Sequence, residues 1–175
     1  MSCPPLVGMA RKLRIQVAGG MFHVWARRVD RWPLFVDDAD FRRYMKLLAK
    51  TVEACDWILL SFCLMPNHIH LLVELREANL AKGMQKLHGA YVRWFNDRHA
   101  RRGRLFEHRY DSRPVADELY FVTVVKYIEM NPVDAALCAK PEDWPWSSRG
   151  ILAAGPCPPW LSDDVLRIRR RGLST

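Results

Sequence analysis

The sequence predicts an α+β domain with a ferredoxin-like βαββαβ core: a central antiparallel sheet with helices on one face, followed by an extra C-terminal helix. Three observations lead there. Extended patterns, either alternating or continuously apolar, occupy 21–28, 57–65, 68–75 and 108–115. Apolar residues three and four apart mark helices near 38–55, 80–94 and 117–131. The order is strand, helix, strand, strand, helix, strand, helix, which selects a layered α+β architecture. At 175 residues the chain suits one domain. Residues 9–148 are read as that domain and 149–175 as a Pro- and Arg-rich tail. Met9 opens a basic segment and reads as an initiator, with residues 1–8 as an extension.

The totals restrict the function classes. Lys plus Arg number 27 against 19 Asp plus Glu, a net charge of +8, while half the residues are apolar. A folded, strongly basic domain points to a polyanionic partner, nucleic acid first. Five cysteines, an odd number without a CxxC-type pair, argue against a disulfide framework and a thiolate zinc site. A reducing cytosol fits. The longest apolar run, Trp57 to Met65, is too short to span a membrane and contains Ser61.

Phe22 to Arg27 alternates and gives a first strand, with His23, Trp25 and Arg27 on one face. Asp37-Asp38 starts a helix at the positive end of its dipole, and Phe41, Tyr44, Leu48, Val52 and Cys55 form its stripe. Trp57 to Met65 reads as a buried central strand. Met65-Pro66-Asn67 makes a tight connection, so this strand and the next form a hairpin at the middle of the sheet. Asn79 is placed to cap a second helix with a core stripe of Leu80, Met84, Leu87, Tyr91 and Trp94. Gly83 and Gly89 weaken that helix by roughly 1 kcal/mol each relative to alanine, which suggests close packing there. Asp117 starts a third helix with Leu119, Val122, Val125 and Ile128 inward, ending near Asn131 because Pro132 disfavours helical geometry before it.

Arg98 to Arg113, RHARRGRLFEHRYDSR, holds six arginines and two histidines interleaved with Phe106 and Tyr110. Such a run is often only a solvated loop. Its few acidic neighbours and its rings suit single-stranded nucleic acid, with arginine on phosphates and rings under bases. The candidate DNA contacts are Arg11, Lys12, Arg14, Arg27, Arg98, Arg101, Arg102, Arg104, Phe106, Arg109 and Arg113. Four more arginines follow between Arg167 and Arg171.

The strand beginning at His68 carries the chemistry. Its alternation sends His68, His70, Leu72 and Glu74 to one face and Ile69, Leu71, Val73 and Leu75 to the other. Two imidazoles on one face suit a divalent ion, although a solvated polar face gives the same pattern. Tyr127 and Asn131, four apart, share a side of the third helix. If that helix end lies over the histidines, a phenol, an amide oxygen and two imidazoles converge. A phenolic oxygen can attack a phosphodiester when a cation neutralises the phosphate. Otherwise Tyr127 merely packs and Asn131 is a turn residue before Pro132. Tyr120 is a rival nucleophile but lacks an asparagine one turn later. Glu74 reads as a strand-end carboxylate. His23, His88, His99 and His108 have no partner legible in the sequence.

Leu64-Met65-Pro66-Asn67-His68-Ile69-His70-Leu71-Leu72-Val73-Glu74, Gly83-Met84-Gln85-Lys86-Leu87, Leu105-Phe106-Glu107-His108-Arg109-Tyr110 and Tyr127-Ile128-Glu129-Met130-Asn131-Pro132-Val133 together resemble the single-tyrosine HUH transposases. The closer resemblance is to the bacterial REP-associated tyrosine transposases, over residues 9–148. It implies a metal-dependent single-stranded DNA endonuclease and strand transferase acting on hairpin-forming repeats. On that resemblance His68, His70 and Asn131 bind Mg²⁺ or Mn²⁺, and Tyr127 forms a 5′-phosphotyrosine. It further implies a cytoplasmic, nucleoid-associated protein acting as a monomer, with a homodimer as the alternative. A hairpin-binding protein without cleavage is a second reading, which has no need of the four site residues. A replication initiator or relaxase would need more chain.

Overall fold

The computed structural model describes residues 16–29 and 33–164. The expectations on Arg11, Lys12, Arg14 and the basic run from Arg167 lie outside the described residues. The elements are β1 (Met21–Arg27), α1 (Asp38–Cys55), β2 (Trp57–Met65), β3 (His68–Leu75), α2 (Leu80–Arg98), β4 (Asp111–Pro114), α3 (Glu118–Asp134) and a short α4 (Ser148–Ala154). The four strands form one antiparallel sheet in the order β2-β3-β1-β4. This is the expected α+β, βαββαβ architecture with its extra helix. Among the described residues no helix is long and apolar enough to cross a membrane.

Strand alternation divides the interior in two. Phe22, Val24, Ala26, Ile69, Leu71, Val73 and Leu75 face α1 and α2 in the larger cluster. Cys63, Met65 and Leu72 point the opposite way, against Phe121, Val124, Val125 and Ile128 of α3. The core helices thus cover one face and the extra helix covers the other. A bulge keeps β2 in phase with both clusters. Leu59 pairs with Val73 and Ser61 with Leu72, so Leu60 is supernumerary. Leu59 before it and Phe62 and Leu64 after it therefore all meet the larger cluster.

Several expectations are corrected. β2 is buried but lies at the sheet edge; β3 and β1 are central. Burial on both faces gave β2 the composition of a central strand, because later chain covers its edge. Leu64 N–H donates to the Trp146 carbonyl and Ser162 N–H to that of Leu59. The Trp144 indole donates to the Leu64 carbonyl, and the Ser148 hydroxyl accepts from Phe62 N–H. Leu161 is buried in the larger cluster, so residues beyond 149 join the packing instead of trailing from it.

In α3 the inward stripe is Phe121, Val124, Val125, Ile128 and Pro132, while Leu119 is 80% exposed. The first turns are apolar all round, so spacing alone did not select the phase. Nor does α3 stop at Asn131, since Pro132 lies inside its last turn. The helix closes on Ala136, at φ +55°, with Ala136 N–H to Val133 and Leu137 N–H to Pro132 as in a Schellman ending.

Asn79 does occupy the N-cap of α2, yet its side chain makes no capping bond. It accepts from the Trp57 indole at 2.7 Å and donates to the Cys55 carbonyl at 2.9 Å. The α2 stripe ends on buried Phe95, with Trp94 only half-buried. Gly83 is the expected close contact, for a Cβ there would stand 2.1 Å from the Trp57 ring. Gly89 has room for a Cβ.

Candidate active site

Three elements converge on one cleft. The β1–β3 register sets Trp25 opposite His70 and Arg27 opposite His68. On the other flank of β3, Cys63 stands opposite His70 and Met65 opposite His68. Asp117 caps α3 by accepting from Tyr120 N–H, and the buried stripe of α3 seats the helix on the sheet. Tyr127 and Asn131, on the adjoining side of α3, then reach the histidines. The cleft between them has a volume of about 280 Å³. It is lined from β1 and β3 by Trp25, Ala26, Arg27, His68 and His70, from the chain leading into β4 by Glu107, His108, Tyr110 and Asp111, and from α3 by Tyr127.

The expected convergence of Tyr127 and Asn131 with His68 and His70 is present. Asn131 Oδ1 lies 3.0 Å from His68 Nε2, while His68 Nδ1 lies 2.6 Å from Asn67 Oδ1. The rings of His68 and His70 are 5.0 Å apart. The Tyr127 ring stands edge-on to His70 at 5.2 Å and is 47% exposed. A phenol held against the histidines yet open to solvent is accessible to a molecule entering the cleft.

Electrostatics keep the imidazoles neutral. Burial pushes the His70 pKa down to about 2, helped by the charges that His68 and His23 would carry. Burial, then Arg113, lowers His23 to about 4. His68 is also lowered by burial, against the opposing hydrogen bond to Asn131 Oδ1, and Arg27 lowers it further. Neutral rings present lone pairs at ordinary pH, the form in which histidine binds cations. The buried Nε2 of His70 has no hydrogen-bond partner among the described residues. No group of three His, Cys, Asp or Glu able to hold a metal occurs among the described residues. A cation here would therefore rest on two imidazoles and the amide oxygen of Asn131.

The remaining candidates separate clearly. Arg27, Arg101, Arg102, Arg104, Arg109 and Arg113 are exposed. Arg98 is not a free cation: it pairs with Asp37 and with fully buried Asp40, each at 2.7 Å. The helix start at Asp37 thus supplies the acidic partner that local sequence did not reveal. Phe106 is 7% exposed and stacks on His88 at 3.9 Å, so it cannot receive a base. Tyr110 is buried as well. Tyr120 lies under the Arg113 guanidinium. Glu74 is at the far end of β3, opposite Met21 and Ile58.

All four leftover histidines prove to have partners, the loosest being that of His108, whose Nε2 lies 3.8 Å from Glu107 Oε1. His88 bonds to the Tyr44 hydroxyl and the Arg109 carbonyl, and His99 to Asp40. His23 Nε2 lies 3.0 Å from His70 Nδ1. His108 is exposed, in the cleft lining. The involvement of His23 and Trp25 was legible in principle. Their alternation put them on one face of β1, and only the pairing of β1 with β3 was needed to bring that face to His70.

The model of the IS200-like transposase family matches residues 16–131, which include all four convergent residues. A Haemophilus influenzae protein, provisionally named a REP-associated tyrosine transposase, is 26% identical over 166 residues, 86% of this chain and 93% of that one. Among solved structures, a REP-associated tyrosine transposase bound to a REP hairpin superposes with a TM-score of 0.72 at 17% identity. It covers 90% of this chain and 93% of that chain, a likeness of fold. A provisionally named Deinococcus radiodurans transposase gives a TM-score of 0.46 at 18% identity, over 70% of this chain and 96% of its own. With two thirds of its length inside the family model, the chain belongs to the IS200-like transposase family.

Proposed function

We propose that this transposase is a metal-dependent single-stranded DNA endonuclease and strand transferase that acts on hairpin-forming repeat DNA through a 5′-phosphotyrosine. The observation that carries the reading is the approach of Asn131 Oδ1 to His68 Nε2 at 3.0 Å, beside a Tyr127 ring that faces His70. His68 Nε2, His70 Nε2 and Asn131 Oδ1 would hold Mg²⁺ or Mn²⁺, and the partnerless buried nitrogen of His70 fits such a role. Two nitrogen donors beside one oxygen suit Mn²⁺ better than Mg²⁺. When bound, the cation would neutralise phosphate charge and favour in-line attack.

The Tyr127 oxygen attacks the scissile phosphorus, the bond to the 3′ oxygen breaks, and that oxygen leaves as a 3′-hydroxyl. The proton lost by the phenol balances the one gained by the leaving group. Reverse attack by another 3′-hydroxyl rejoins DNA and restores the phenol. Arg27, in the cleft lining, and the exposed Arg101, Arg102, Arg104, Arg109 and Arg113 would neutralise phosphates along the strand and hairpin. The hairpin preference is taken from the fold relative that binds a REP hairpin. A monomer, in which one chain supplies Tyr127 and all three donors, belongs to the proposal, with a homodimer as the alternative. Action in the cytoplasm, at the nucleoid, belongs to the same proposal.

Labelled single-stranded hairpin DNA incubated with the protein and Mn²⁺ tests this on a denaturing gel. A cut strand and a protein–DNA adduct are expected, both absent for Tyr127→Phe. An undiminished adduct in that variant would overturn the mechanism. Hairpin binding without any cutting by the wild type would identify a binding protein instead.

A further inference from the structure

We infer that His23 is a positioning residue, whose hydrogen bond to His70 holds the second ring nitrogen of His70 toward the site shared with His68 and Asn131. The inference rests on the metal-dependent reading above and adds a role for a residue outside the four convergent ones. β1 and β3 are adjacent and antiparallel, and His23 and His70 approach across that pair. The His23 Nε2 to His70 Nδ1 distance is 3.0 Å, and the rings lie 5.2 Å apart at 28°.

The two nitrogens of His70 therefore have opposite fates. Nδ1 is engaged, while Nε2 is buried and has no hydrogen-bond partner among the described residues. Buried polar atoms left bare are rare and call for an explanation. A histidine with one nitrogen held and the other free has the form of a metal ligand fixed in orientation and tautomer by its neighbour.

The proton positions follow. A ligating Nε2 presents its lone pair, so the His70 proton resides on Nδ1 and is donated to His23. His23 Nε2 must then accept, which places the His23 proton on its own Nδ1. Because His23 Nε2 is engaged with His70, His23 does not ligate. A carboxylate is a common acceptor in such pairs. An uncharged imidazole in its place orients His70 without cancelling cation charge, leaving that charge for the DNA phosphate. The His23 ring also lies 6.0 Å from that of Tyr127, beneath the proposed nucleophile.

Calorimetric titration of the full chain with Mn²⁺ alone, without DNA, tests the inference. His23→Phe keeps a ring but cannot accept, and its Mn²⁺ affinity should fall about 10- to 100-fold. His23→Gln supplies an accepting oxygen and should recover most of that loss. Equal affinity for His23→Phe and the wild type would overturn the role. So would a His23→Gln no better than His23→Phe at matched thermal stability, because packing alone would then suffice. Nitrogen NMR of the wild type with Mg²⁺ reads the His70 tautomer without any substitution. A proton on Nδ1 is expected, and a proton on Nε2 would overturn the inference. No Mn²⁺ binding by the wild type would defeat the metal-dependent reading and this role with it, whereas binding that is indifferent to His23 defeats this role alone.

Discussion

His68 and Asn131 are 63 positions apart in the chain, yet His68 Nε2 and Asn131 Oδ1 are separated by only 3.0 Å. One atom belongs to a central strand and the other to the last turns of a helix on the opposite side of the sheet from α1 and α2. The site therefore exists only while Phe121, Val124, Val125 and Ile128 keep α3 seated on that face.

The amide oxygen of Asn131 should be replaceable by a carboxylate but not by a hydrocarbon. Asn131→Asp offers a harder, charged donor and should retain cleavage while lowering the Mg²⁺ concentration required. Asn131→Leu should abolish cleavage. Cleavage titrated with each cation separately checks both, and an active Asn131→Leu would remove the residue from the donor set.

Arg98 and Arg104 should fail in different assays. Arg98→Ala strips an ion pair from buried Asp40, which keeps His99 and Val36 N–H as partners. The expected result is a lower midpoint of urea unfolding, because the buried carboxylate loses a charged partner. Arg104 is exposed. Arg104→Ala should leave stability within ~0.5 kcal/mol and reduce the salt slope of hairpin binding by about one phosphate contact.

Gly83→Ala should destabilise, because the added methyl would meet the Trp57 ring at 2.1 Å. Relief requires moving Trp57 away from Asn79, the acceptor of its indole N–H. A loss of roughly 1–3 kcal/mol is expected for such overpacking. Gly89→Ala, with space around it, should instead be neutral or stabilising. Paired thermal melts decide between these signs.

Stability should fall on acidification because of His88. The Arg109 carbonyl can only accept, so His88 donates from Nδ1, and its Nε2 accepts from the Tyr44 hydroxyl. Burial lowers its pKa from 6.5 to about 4, against the hydrogen bond to Arg109. Below pH 6.5 the unfolded chain takes up a proton that the folded chain refuses until about pH 4. Stability is thus present above pH 6.5, declines as pH falls toward 4, and levels off below it. The His88 share is roughly 3 kcal/mol. His23 and His70 act in the same direction. Unfolding free energies across this range should show a shallower slope for His88→Gln.

The element order was legible because period encodes it directly; spacing put Tyr127 and Asn131 on one side of a helix, and only the resemblance to the tyrosine transposases set that side over the histidines. What escaped depended on contacts distant in sequence. β2 looked central because Trp144 to Ser148 and Ser162 complete its surroundings from 80 or more residues away. Arg98 looked available because Asp37 and Asp40 lie about 60 positions earlier. Phe106 looked like a stacking surface until α2 supplied His88 beneath it. The phase of α3 was lost because Leu119 and Val122 are as apolar as the residues that are buried.

The cover over β2 also governs how copies of this protein can meet. With the amides of Phe62 and Leu64 and the carbonyls of Leu59 and Leu64 already engaged by the same chain, that edge offers little to a visiting strand. Continuation of the sheet into a neighbour is left to β4, a strand of four residues that ends in proline and carries Arg113. So short and charged an edge is a poor template for aggregation, and it leaves the approach to the tyrosine for nucleic acid.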